Sequence, residues 1–318
     1  MSRLTTQAPT VLRAGGPNAV GVMLGLLGDE WTLLILREAL LGARRFVDWR
    51  ARLPISNAVL TARLNRLAGA GLLDRHAYQD RPPRWEYRLT ERGAGVWPVL
   101  LCIWAWEAAW VPEHVERLPV RVHAACGQAF DPVLVCAACE QPVTAAPDQL
   151  TGGFGPSGGW ARSVPDASTR RRSAGGDAGL FPQTTALMGN RWSAALLGAA
   201  FLGVHRFAEF QRCLAAPPTV VADRIRRFCE LGVLRERDYR LTAKGRAFLP
   251  VVLTAVDWAQ RWFHAEEGPA LEHVHTACGA SFSPALSCSA CAGRLCRVDV
   301  RVRTDTVTML DPASRSRR

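Results

Sequence analysis

"PISNAVLTARLNRLAGAGLLDRHAYQDRPPRWEYRLTERG", residues 54–93, decides the fold. Pro54 and Ile55 suit a turn, and Ser56 stands where a helix N-cap belongs. Leu60, Leu64 and Leu67 then recur at helical spacing and require a core. The opposite face carries Ala58, Ala62, Asn65 and Arg66, flanked by Thr61 and Arg63, with Ser56 and Asn57 at its start. Small and hydrogen-bonding side chains on an outward helix suit close approach to a groove floor. Gly71 ends the helix. Two strand-like runs follow, "LLDRHAY" and "WEYRLT", joined by a proline-stiffened tip carrying Arg81 and Arg84. Such a tip is a poor core element and a good probe for phosphates or a minor groove.

Upstream, residues 18–27 and 29–41 are apolar at helical spacing, and "RFVDWRARL" makes a short further helix. Helices followed by a basic hairpin give the winged helix-turn-helix order. Downstream, "TERGAGVWPVLLCIWAW" opens a helix that is apolar almost all round, hence buried or paired.

The pattern is written twice. "GDEWTLLILREALLGARRF" (28–46) aligns with "GNRWSAALLGAAFLGVHRF" (189–207), and "YRLTERG" (87–93) with "YRLTAKG" (239–245). The second copy lacks the residues equivalent to Tyr78–Glu86, so its wing is reduced to a turn. On its third helix Asp223 replaces Ala62, while Arg226 and Arg227 share one face. The apolar helices "VWPVLLCIWAW" and "LPVVLTAVDWAQRWF" are expected to form the seam between copies, their tryptophans an aromatic core.

After each copy comes H-x2-C-x9-C-x2-C: His123, Cys126, Cys136 and Cys139, then His275, Cys278, Cys288 and Cys291. One imidazole with three thiolates is a structural zinc set, and a two-residue gap lets a tight turn aim both ligands at one ion. Each set is expected to bind one Zn in a small ribbon closing its own unit. Cys102, Cys213, Cys229 and Cys296 have non-cysteine counterparts in the other copy and are expected to be packing residues.

The segments W-T-L-L-I-L-R-E, R-R-F, L-T-A-R-L-N-R-L and R-P-P-R-W-E-Y-R-L-T-E-R-G resemble the HxlR-type winged-helix transcriptional regulators, specifically in copy one and more loosely in copy two. The resemblance implies dimers that bind operator DNA, often palindromic, and repress or activate nearby genes; carried over by position, it implies recognition helix Ser56–Gly69 and wing Tyr78–Trp85. Repression is the expected sign here. Some relatives sense oxidants through a cysteine before the first core helix; "RAGGPNAVGVMLGLL" has none.

The expected fold is mainly α with small β wings: two tandem winged helix-turn-helix domains, each followed by a short zinc-ribbon-like hairpin. A disordered arm (1–17) precedes domain 1 (18–122) and its ribbon segment (123–142). A flexible linker (143–177) leads to domain 2 (178–274), its ribbon segment (275–303) and a disordered tail (304–318). Domain 1 would read double-stranded DNA. Domain 2 would serve as an intramolecular pseudo-dimer partner, with Arg226 and Arg227 gripping backbone weakly, and a further homodimer stays open. The alternative is a protein–protein module of the transcription machinery built on degenerate winged helices.

The totals agree with this reading. The 318 residues are 48% hydrophobic, enough for two cores, and the net charge of +11 favours a polyanionic partner. There is no secretory signal pattern and no apolar run long enough for a membrane span, so a cytoplasmic protein is expected. Ten cysteines in that compartment point to free thiols or metal ligation rather than a disulfide framework. No G-x-S-x-G, H-E-x-x-H, phosphate-loop or dinucleotide-binding pattern appears, which argues against an enzyme.

Overall fold

A computed structural model describes residues 4–81, 83–112, 118–146, 148–163 and 181–303. In the first copy, α1 (Ala19–Leu27) is capped by Asn18, α2 (Glu30–Leu40) by Asp29, and α4 (Asn57–Gly69) by Ser56, with α3 (Phe46–Arg52) between them. Each cap oxygen accepts an otherwise orphaned backbone N–H of the first turn. Leu60, Leu64 and Leu67 are buried with Ile35, Leu36, Trp49 and Ile55. Burial of each such side chain contributes about 1.5–3 kcal/mol. Trp49 donates from Nε1 to the Ile35 carbonyl at 3.1 Å, which locks α3 onto α2. Strands β2 (Leu73–Gln79) and β3 (Arg84–Leu89) pair antiparallel, with a bulge between Ala77 and Gln79. A short α5 (Glu91–Ala94) then leads into α6 (Trp97–Trp110).

The second copy repeats the order as α7 (Pro182–Met188), α8 (Arg191–Phe201), α9 (Phe207–Leu214), α10 (Pro218–Glu230), α11 (Ala243–Arg246) and α12 (Leu249–Trp262). Where the first copy has a wing, a single bridge between Leu234 and Leu241 closes a turn through Tyr239.

The copies interlock. Helix α6 packs on α12, α1 lies against α12, and α7 against α6. The polar contacts across the seam are reciprocal. Trp106 Nε1 donates to the Lys244 carbonyl at 3.0 Å, and its counterpart Trp258 donates to the Arg92 carbonyl at 2.9 Å. On α6, the buried Glu107 carboxylate accepts from both the backbone and hydroxyl of Thr184 on α7, while burial pushes its pKa up to about 7. One apolar core runs through both copies.

Four two-stranded pairs tie the halves together. Strand β4 (Val120–His123) pairs with β10 (Val300–Arg303), and its counterpart β8 (Leu271–His275) pairs with β6 (Leu150–Phe154). Strands β5 (Pro132–Cys136) and β9 (Pro284–Cys288) run antiparallel across the middle. Strand β1 (Thr10–Leu12) pairs parallel with β7 (Phe263–Ala265).

Two sequence expectations are corrected here. The arm expected to be disordered holds β1. The front half of the expected linker is a structured strap. Within it Gly152 is required, since a Cβ there would lie 2.0 Å from the Glu272 carbonyl. Asn18 donates from Nδ2 to the Ser157 carbonyl and the Ser163 hydroxyl, fixing the strap to α1. A Gly- and Ser-rich composition serves close packing here, not freedom. The remainder of the linker (164–177), the first residues of domain 2 (178–180) and the tail (304–318) lie outside the described residues. Among the described residues, no single helix is long and apolar enough to cross a membrane.

Candidate nucleic-acid face and metal centres

The His/Cys ligands assemble crosswise. One group is His123, Cys126, Cys288 and Cys291; the other is Cys136, Cys139, His275 and Cys278. In each, the ligand atoms all lie within 4.8 Å of one another. The expectation of one self-contained ribbon per copy is therefore overturned, although the eight residues are those the spacing selected. The reason is the register of β5 and β9. Pro132 stands opposite Cys288 and Cys136 opposite Pro284. A five-residue strand separates its two ends by about 14 Å, so the two ligand pairs of one copy cannot reach one ion. The antiparallel partner brings the other copy's pair to each end instead.

Each ligand pair sits on its own knuckle, closed by a bridge: Val122 with Ala129, Val135 with Pro142, Val274 with Ser281, and Ser287 with Arg294. The residue after the second ligand is left-handed every time: Gly127 (φ 71), Glu140 (φ 60), Gly279 (φ 69) and Ala292 (φ 57). Replacing Glu140 and Ala292 by glycine is expected to add roughly 0.5–1 kcal/mol per site by removing the Cβ clash of that conformation. Calorimetric melting checks this, and an unchanged or lowered midpoint would contradict it.

The ligand spacings fit a tetrahedral ion. His123 Nδ1 is 3.4 Å from Cys126 Sγ and 3.3 Å from Cys291 Sγ, and the Cys126 and Cys288 sulfurs are 4.0 Å apart. The second group repeats these values: His275 Nδ1 lies 3.4 Å from Cys278 and 3.3 Å from Cys139, with 4.0 Å between Cys136 and Cys278. Zinc–sulfur bonds of about 2.3 Å and zinc–nitrogen bonds of about 2.0 Å give tetrahedral edges of about 3.5–3.8 Å. The Gln128 amide donates to Cys126, and with His123 and the neighbouring thiols it brings that thiol's pKa down to about 7. Both histidines are buried, while Cys278 and Cys291 are exposed. Of the remaining cysteines, Cys102 is buried, Cys213 and Cys229 are half-buried, and Cys296 is exposed, so packing does not account for Cys296.

On the first copy, Ser56, Asn57, Ala58, Thr61, Ala62, Asn65 and Arg66 are exposed along α4. Arg81 and Arg84 are exposed on the wing beside it. Arg63 is different: it grips Asp29 with two 2.8 Å hydrogen bonds, and its side chain is only 19% exposed. Asp29 is the cap of α2, so Arg63 fastens α4 to α2 rather than standing on an open flank. Arg66 donates to the Gly25 carbonyl.

Two arginines that the sequence reading passed over flank the wing. Arg45 lies 4.6 Å over the Tyr78 ring, and Arg75 lies 3.9 Å over Trp85. Their signal was the exposed aromatic at each end of a basic hairpin, a pairing that favours cation–π contact.

On the second copy, Asp223 pairs with Arg224 and Arg226, and Glu230 pairs with Arg226 and Arg227. Arg226 and Arg227 are exposed, but their charge is met on their own helix.

The fold and its sites define a class: a tandem pair of winged helices whose four Cys/His knuckles meet in crossed pairs. The chain belongs to the HxlR-like helix-turn-helix family, which it matches over residues 26–115 and 187–267. Proteins described as HTH-type transcriptional regulators from Mycobacterium bovis and Mycobacterium tuberculosis are 41% identical over 128 residues, 40% of this chain and 80% of theirs. One from Synechocystis is 37% identical over 93 residues, 29% of this chain and 69% of its own. A solved Pseudomonas aeruginosa protein described as a candidate transcription factor is 31% identical, with a TM-score of 0.32 over 41% of this chain and 92% of its own.

Proposed function

We propose that this chain is a DNA-binding transcriptional regulator, acting as a repressor by occupying operator DNA. In it α4 and the β2–β3 wing of the first copy read the double helix. The observation that carries this is the continuous exposed face from Ser56 through Asn65 to Arg81 and Arg84. Asn65 and Thr61 supply side-chain hydrogen bonds for base edges, Ala58 and Ala62 allow close approach, and the wing arginines meet phosphate. Arg63 acts as a positioning residue that sets the angle of α4. The second copy is the intramolecular partner that a dimer would otherwise supply. Its shortened wing and self-neutralised α10 favour a scaffolding role over base reading.

Two structural zinc ions would be held by the crossed knuckles. Each ion would be held by three sulfurs and one nitrogen, a ligand set of the structural kind. When bound, the ions would let these residues clamp copy to copy and so hold the attitude of the reading head.

Binding of a genomic fragment selected by the protein, followed over a salt series, tests the DNA reading. Replacing Arg81 and Arg84 by alanine is expected to lower the log–log salt slope by about 2. The Arg226→Ala/Arg227→Ala variant should leave it nearly unchanged. Equal losses from both pairs would refute the division of labour, and absence of binding at low salt would favour the protein–protein reading. Derepression of a reporter on deletion of the gene checks the sign of regulation.

A further inference from the structure

The second copy contains a cavity of ≈510 Å³ between α8, α12 and the strap. Pockets that take small organic ligands span roughly 300–1,000 Å³. Its body is apolar: Leu197 and Phe201 from α8, Val252 and Val256 from α12, and Phe154 and Trp160 from the strap. Trp160 can lie there because position 198 is glycine, where a Cβ would come within 3.1 Å of the indole.

The duplication explains the hollow. Bulky residues of the first copy are replaced by small ones at the equivalent positions of the second. Trp104 becomes Val256, Trp97 becomes Leu249, Leu33 and Leu34 become Ala194 and Ala195, and Arg37 becomes Gly198. All five small residues belong to α8 or α12, the two helices that bound the cavity. All five (Ala194, Ala195, Gly198, Leu249 and Val256) line it directly.

One part of the rim is cationic. Arg235, Arg240 and Arg246 line it with His205. Asp238 pairs with Arg235 at 2.7 Å and with Arg240 at 3.8 Å. Arg240 also lies 3.0 Å from His205 Nε2, and Arg246 donates to the Leu241 carbonyl. Two of these three guanidinium groups share the Asp238 carboxylate, which leaves a surplus of positive charge beside an apolar chamber. Guanidinium favours planar carboxylates, which it binds through two parallel hydrogen bonds.

We propose that this cavity is a binding site for an organic monocarboxylate with an apolar body, its chain or ring among Leu197, Phe201, Val252 and Val256 and its carboxylate at Arg235, Arg240 and Arg246. The site uses no residue of the reading head, so it stands or falls separately from the DNA assignment. Because α1 of the first copy also lines it through Val20, Met23 and Leu24, the ligand would touch both copies.

The test is calorimetric titration of the full, metal-loaded chain with dodecanoate. Saturable binding is expected, at least tenfold weaker in Val256→Trp, which restores the first copy's residue, and in Arg240→Ala/Arg246→Ala. Dodecanol should bind at least tenfold more weakly than dodecanoate to the unaltered protein. Should Val256→Trp fail to fold, Ala195→Leu fills the same chamber from the α8 side. No binding of dodecanoate, affinity unchanged by both the filling and the arginine variants, or dodecanol binding as tightly as the acid would each overturn the assignment.

Discussion

Removing His123, Cys126, Cys288 and Cys291 together is expected to leave one metal ion per chain, whereas removing His123, Cys126, Cys136 and Cys139 is expected to leave none. Self-contained ribbons would give the opposite pair of results. The difference follows from the crossed register of β5 and β9, which assigns the first copy's His-x-x-Cys to the second copy's Cys-x-x-Cys. Elemental analysis of the two quadruple variants, with histidine replaced by alanine and cysteine by serine, reads the outcome directly. Cobalt substitution adds a check, because the surviving site in the first variant should keep the absorption of a three-sulfur, one-nitrogen tetrahedron. The effect on stability should be large. Structural zinc in small fingers contributes an apparent ~10–16 kcal/mol at neutral pH. Here each ion cross-links segments more than 100 residues apart, as His123 and Cys291 illustrate. Chelation is therefore expected to lower the melting midpoint by about 10 °C or more. It should also loosen one copy from the other before either winged helix melts. A chelated protein with an unchanged midpoint would show that the helix seam and the paired strands hold the copies without the ions, and the clamp would then have no mechanical role.

The ligands were legible because chemistry and spacing are local; their partners were not, because register is long-range. A two-residue gap determines that His123 and Cys126 can meet one ion. A nine-residue spacer is compatible with either a return or a crossing, and only the pairing of Leu134 with Leu286 selects the crossing. The same distinction runs through the rest of the molecule. The periodicity of α4 placed Leu60, Leu64 and Leu67 inside, and they are buried. It could not place Arg63, whose partner Asp29 is supplied from 34 residues away. The strap was misread because glycine signals both freedom and close approach, and Gly152 is there for the second. The cavity left a mark in the sequence, as large residues of one copy became small in the other. That mark gains meaning only when α8 and α12 are seen to bound one space.

The Arg63→Ala variant is expected to cost about 3 kcal/mol of stability, and the double variant Asp29→Asn/Arg63→Ala to recover most of it. Breaking a largely buried ion pair by removing one partner leaves the other charge stranded, which typically costs ~3–5 kcal/mol. The partial exposure of Arg63 moves the expectation to the low end. The recovery has a precedent inside this chain. At the position equivalent to Asp29 the second copy has Asn190, which caps α8 by accepting from Trp192 and Ser193, while Arg224 turns to Asp223 instead. Asparagine caps as well as aspartate, so the double variant keeps the helix start and removes the stranded charge. A double-mutant cycle by chemical denaturation should give a coupling of about 2 kcal/mol or more, and additive effects would refute the pairing. DNA binding separates two roles for the same residue. If Arg63 only sets the angle of α4, Arg63→Ala should lose affinity across all sequences, and the double variant should regain it along with stability. A double variant that folds well but still fails to discriminate its operator would instead place the Arg63 guanidinium on the bases, which requires Asp29 to release it as DNA arrives.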